Sequence, residues 1–151
     1  MMSEEKVTLS IIQWLTRNGW FIVCYDFPQS GTGKLLLPND NPSAKNKGGI
    51  TPDIVAVKDN TCLFFENKNR FHKPDYEKIH SLITSNNYTR AISRLLQAFS
   101  IEKTFYGIGI PSEMHRLSSQ THSHLVNFIV GVKNDFSVEV LYNPLKINFK
   151  G

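Results

Sequence analysis

Asp53, Glu66 and Lys68 are the residues whose types and spacing could do chemistry in this chain. The stretch from Gly49 to Arg70, GITPDIVAVKDNTCLFFENKNR, reads as two short strands joined by a tight turn. Pro52-Asp53 opens an apolar run (Ile54, Val55, Ala56, Val57), Lys58-Asp59-Asn60 reverses the chain, and a second run through Leu63, Phe64 and Phe65 delivers Glu66 and Lys68. Side chains alternate along a strand, so Glu66 and Lys68 share a face roughly 6.6 Å apart, at about 3.3 Å per residue. Two carboxylates and one ammonium converge at one end of a hairpin. A bare Glu-x-Lys would be a solvated pair on a surface hairpin. This one ends an apolar aromatic strand whose partner strand opens on proline-aspartate.

The order Pro52-Asp53, twelve residues, Glu66-Asn67-Lys68 resembles the PD-(D/E)xK nuclease superfamily, which includes type II restriction endonucleases and many repair and recombination nucleases. The resemblance implies that Asp53 and Glu66, with a backbone carbonyl near Asn67, hold Mg²⁺ or a substituting Mn²⁺, and that Lys68 orients the attacking water or helps deprotonate it. The middle residue of the family triplet is usually apolar. Here it is Asn67, which needs hydrogen-bond partners if it is buried. Many members also place a glutamate near the metal from the first helix, and Glu5 is the nearer match, although helix electrostatics alone select an acid in a first turn. The activity implied is that of a metal-dependent DNA endonuclease, and the long polar loop described below favours a compact type II restriction enzyme. One active site per chain implies a homodimer on double-stranded DNA. The alternatives are a Holliday junction resolvase or repair nuclease, or a non-catalytic DNA-binding module that kept the fold.

Positioning these residues requires the elements around them. From Ser3 to Asn18, Val7, Ile11 and Leu15 recur every fourth position with Ile12 and Trp14 beside them, which predicts an amphipathic helix capped by Ser3 and stopped at Asn18-Gly19. Trp20 to Phe27 is β-branched and aromatic enough for a strand. Gln29 to Gly49 is a long polar loop carrying Lys34, Lys45 and Lys47, either a phosphate clamp or a solvated excursion. Its Gly31-Thr32-Gly33-Lys34 is not a phosphate-binding loop, because Pro28 stands where the first glycine belongs and Leu35 where a Ser or Thr does. No nucleotide cofactor is therefore expected. After the hairpin, Asp75 to Thr84 and Asn87 to Ile101 read as helices. The second carries Arg90, Arg94 and Gln97 on one face, and with Arg70 and Lys73 these arginines are the other candidates for DNA phosphates. Lys103 to Pro111 reads as a buried strand, Glu113 to Phe128 as a helix, and Phe128 to Lys133 with Ser137 to Tyr142 as a closing hairpin. His115, His122 and His124 read as surface residues, since His122 and His124 point apart on a helix.

This order predicts an α/β domain over residues 1–151, a mixed central sheet flanked by helices, with the restriction-endonuclease-like resemblance spanning Ser3 to Pro111. An apolar fraction of 40% with 20% charged residues excludes a disordered chain. The net charge of +4 suits a polyanionic partner without demanding one. Cys24 and Cys62 fall in apolar strands and read as small hydrophobes. With no cysteine framework, no signal peptide and no apolar run near the ~18 residues of a membrane helix, the expected location is the cytoplasm, away from membranes.

Overall fold

The computed structural model describes residues 2–40 and 48–151. Its centre is a six-stranded sheet with the strands side by side in chain order: β1 (Phe21–Tyr25), β2 (Ile54–Lys58), β3 (Thr61–Asn67), β4 (Lys103–Pro111), β5 (Phe128–Val132) and β6 (Val138–Tyr142). The outer pairs are antiparallel, whereas β3–β4 and β4–β5 run parallel. The mixed sheet flanked by helices is the α/β architecture expected of the sequence. Parallel strands are buried on both faces, and this explains why β3, the second half of β4 and β5 are almost continuously apolar.

Helix α1 (Glu4–Arg17) covers one face. Ser3 Oγ accepts from Lys6 N at 3.1 Å, Asn18 Nδ2 donates to Trp14 O at 2.8 Å, and Gly19 takes the left-handed turn at φ +87°. Val7, Ile11 and Leu15 are fully buried against Ile54, Ala56, Leu63, Phe65, Phe128 and Val130. Helices α2 (Lys73–Ser85) and α3 (Thr89–Leu95) cover the other face: Tyr76 and Ile79 pack on Ile108, Ile110 and Ile129, while Leu96, Ala91 and Ile92 pack on Val55, Val57, Cys62 and Phe64. Both cysteines are free thiols in this second layer.

Three sequence expectations change. Asn87 to Ile101 is helical only over α3, where its polar and aromatic flanks give way to turns. Glu113 to Phe128 is not one helix but a turn at Ser112–Met114, a π-helical turn at His115–Ser119 and a 3₁₀ segment at Gln120–Leu125. Hydroxyl and histidine side chains dominate that stretch, and they compete with or crowd the helical backbone. His115 is buried rather than on the surface, and burial pushes its pKa down. His122 instead packs against the Phe71 ring, with centroids 5.0 Å apart, and His124 is exposed. No described helix is long and apolar enough to cross a membrane.

Candidate active site

The hairpin β2–β3 is tied together where its chemistry lies. Asp53 N donates to Phe65 O at 3.0 Å and Asp53 O accepts from Asp26 N at 2.9 Å, so the residue before β2 is held between the two neighbouring strands. Register pairs Ile54 with Phe65. Asp53, one residue outside that ladder, lies at the hairpin end where Glu66 and Asn67 close β3, near enough for the Glu66 charge to act on it. Asp53 Oδ2 is fixed by the backbone N–H of Asn67 at 2.7 Å. Glu66, only 8% exposed, has its Oε2 3.7 Å from Lys78 Nζ of α2. Lys68 N donates to Gly109 O at 3.0 Å, and its ammonium lies 3.5 Å from Glu4 Oε1 in the first turn of α1. Asp75, 7% exposed in the first turn of α2, is 2.8 Å from His72 Nδ1.

Four carboxylates (Glu4, Asp53, Glu66, Asp75) thus act on Lys68, with Lys78 as the second cation. Acid outnumbers base, and the electrostatics follow. Burial, then the charge of Glu66, pushes Asp53 up from 3.8 to about 8 against the pull of the Asn67 N–H and Lys68, with Asp26 adding to the rise. Burial likewise raises Glu66, opposed by Lys78 and Lys68 and reinforced by Asp75 and Glu4. For Lys68, burial works against the charge, but Asp75, Glu4, Glu66 and Asp53 outweigh it and leave the pKa raised. Lys68 is therefore an ammonium at neutral pH. Of the two roles the nuclease resemblance implies for Lys68, orienting a bound oxygen suits an ammonium and removing a proton does not.

Asn67 is 1% exposed beneath α1. Its Nδ2 donates to Thr8 Oγ1 at 3.1 Å, while Oδ1 is buried without a hydrogen-bond partner among the described residues. A Cβ on Gly109 would come within 2.3 Å of both that Oδ1 and Ile11 Cδ1, so β4 makes room for the amide by having no side chain there. The partners that a buried asparagine requires are half supplied.

The remaining sequence candidates are dispersed. Glu5 is exposed and Glu4 occupies the place beside Lys68, because Glu4 shares the face of Thr8 and Ile11 at i+4 and i+7. Lys34, Arg90 and Arg94 do come together, lining a groove of about 370 Å³ with Leu35 to Asn39. The loop is pinned there: Asn39 Oδ1 accepts from Arg90 N at 3.0 Å and Asn39 Nδ2 donates to Thr89 Oγ1 at 2.8 Å. Arg70, after β3, and Lys73, the first residue of α2, are exposed and do not line that groove. Lys45 and Lys47 lie outside the described residues. Sequence reasoning missed Glu4, Asp75 and Lys78. Asp75 carried a signal, since it stands four before Ile79 and seven before Leu82 in the buried stripe of α2, where an acid needs a reason.

Among the described residues no three His, Cys, Asp or Glu side chains are grouped as a metal shell. A scan against protein-family models gave no match, and searches of curated proteins and of solved structures gave none either.

Proposed function

We propose that this chain is a metal-dependent DNA endonuclease of the restriction-endonuclease-like kind. The observation that carries the proposal is the gathering of Asp53, Glu66 and the charged Lys68 at one end of the β2–β3 hairpin, with the Asp53 carboxylate held on the Asn67 N–H and the charges of both acids acting on Lys68. The fit to a divalent cation rests on the donor set: two largely buried carboxylates, each raised first by burial, with the Glu66 charge adding to the rise of Asp53, in a site where acids outnumber bases. Hard oxygen donors of this kind suit Mg²⁺, with Mn²⁺ as a substitute. Asp53, Glu66 and the Asn67 carbonyl would hold it, and a cation there supplies Lewis-acid activation of a phosphodiester and offsets charge on the leaving oxygen.

The chain's own residues do the rest. The Asn67 N–H fixes the Asp53 carboxylate, Lys78 keeps Glu66 oriented, and Lys68, steadied by Glu4, presents a proton donor to the attacking water. Lys34, Arg90 and Arg94 offer three cations to a phosphate backbone, with no acid among the described residues that line their groove. The finer reading is a cytoplasmic type II restriction enzyme working as a homodimer on duplex DNA, so that two copies of one site cut two strands. Incubation with supercoiled plasmid and Mg²⁺ tests it. Discrete linear fragments from the wild type, and none from Asp53→Ala, are expected. Selective cutting of branched junctions would make the enzyme a resolvase, and tight binding without product would reduce the chain to a binding module.

A further inference from the structure

A second concavity, about 650 Å³ in volume, opens at the end of the sheet where β3 runs out past Lys68. Asn69, the next residue, forms one wall, and the end of β4, tied to Lys68 through Gly109 O, forms another. The remaining walls come from Met2 ahead of α1, the turn after β4 and the β5–β6 hairpin. They bring two cations, Arg116 and Lys133, and two carboxylates, Glu113 and Glu139. Its volume suits a small organic group rather than a protein surface. Arg116, Lys133 and Glu113 are exposed and free to follow a ligand, whereas Glu139 is held.

Glu139 lies on β6, the edge strand, opposite Gly131 of β5. The buried Ser112 reaches over that position and donates from Oγ to Glu139 Oε2 at 2.6 Å. A Cβ on Gly131 would come within 2.3 Å of the Ser112 Oγ, so this hydrogen bond exists because residue 131 has no side chain. One oxygen of a half-buried carboxylate is thereby anchored, which fixes the direction of the whole group inside a cleft that also carries two cations.

We infer that this cleft receives the nucleotide adjoining the scissile bond, with Glu139 accepting from the exocyclic amine of its base and Arg116 and Lys133 meeting the flanking phosphate. The inference rests on the nuclease reading for its substrate. An anchored carboxylate accepts from the N4 amine of cytosine and is repelled by the N7 acceptor beside adenine's amine and by the carbonyl edges of thymine and guanine. Glu139 is accordingly the residue that selects a base, Ser112 is a positioning residue, and the two cations bind without selecting.

The test is a binding selection on a randomised duplex in Ca²⁺, with the bound fraction sequenced, run on the full chain as wild type, Glu139→Gln, Ser112→Ala and the double variant Arg116→Ala/Lys133→Ala. Glu139→Gln keeps the shape and the Ser112 bond, and its melting temperature serves as the folding control. The expected result is roughly tenfold enrichment of cytosine at one position in the wild type. Glu139→Gln should flatten or redirect it, with total affinity changed less than about twofold. Ser112→Ala should blur the preference, and the double cation variant should bind all sequences more weakly with the preference intact. The same enriched base in Glu139→Gln as in wild type, no enriched position in the wild type, or no binding at all overturns the inference. Plasmid cutting, scored separately with Asp53→Ala as its control, distinguishes this from failure of the nuclease reading: cutting with no Glu139-dependent preference sinks the cleft alone, and preference without cutting sinks the nuclease alone.

Discussion

Replacing Asp53 with asparagine should stabilise the metal-free protein, and by an amount that grows with pH. The unfolded chain releases the Asp53 proton near 3.8, whereas the folded chain holds it to about 8. Between those values the folded state binds more protons, so raising the pH favours unfolding and stability falls through that window. At about 1.4 kcal/mol per tenfold in proton affinity, the wild type loses at most about 4 kcal/mol from this group between pH 5 and pH 8. Glu66 is raised in the same direction, first by its burial, and is common to both proteins. Asparagine does not titrate, yet it keeps an oxygen to accept the Asn67 N–H. Even half of the ceiling, about 2 kcal/mol, moves the melting temperature of a domain this size by about 4–8 °C. Thermal unfolding of both proteins in EDTA at pH 5, 6, 7 and 8 reads the effect as a difference curve. His115, whose lowered pKa has the opposite sign, is common to both and cancels. A variant with the wild-type pH slope, or one less stable than wild type at pH 8, would refute the reasoning and leave Asp53 as a solvated strand-end acid.

In the nuclease assay, Asp53→Ala, Glu66→Ala and Lys68→Ala should each lose cleavage by at least about a hundredfold while binding to DNA in Ca²⁺ persists; wild-type turnover in any of them removes that residue from the site. Mg²⁺ at about ten times its dissociation constant should stabilise the wild type by about 1.4 kcal/mol and Asp53→Asn much less, an arm read by melting curves with no substrate present. Replacing Lys34, Arg90 and Arg94 together with alanine should weaken binding to every sequence and flatten the log–log salt dependence by about 0.9 for each phosphate no longer neutralised; an unchanged slope means the groove is only solvated. Thr8→Val, which strips the Asn67 amide of its hydrogen-bond partner, should cost about 1–3 kcal/mol in urea unfolding, whereas Thr8→Val with Asn67→Leu should restore most of it by removing both polar groups.

The division between what could be read in the sequence and what could not follows from how each interaction is made. Asp53, Glu66 and Lys68 are brought together by a hairpin with the two-residue turn Asp59-Asn60, so strand alternation and register fix their faces, and both can be counted along the chain. The cap at Ser3, the buried stripe of α1 and the strand positions of both cysteines are local in the same sense. Helix phase is also local, and it marks Asp75 as facing inward. What phase does not supply is the direction in which a helix crosses the sheet, and that decides whether Glu4 or Glu5 reaches Lys68 and whether Lys78 lies over Glu66. The Asn67 position shows the same limit from the other side: its burial followed from alternation, but the space for its amide comes from Gly109 and its partner from Thr8, on elements distant in sequence. The charges that tune the site therefore come from helices packed on the sheet, while the groups that would carry the chemistry come from the hairpin itself. A substitution in the hairpin should consequently remove activity, whereas one at Glu4, Asp75 or Lys78 should shift its pH dependence.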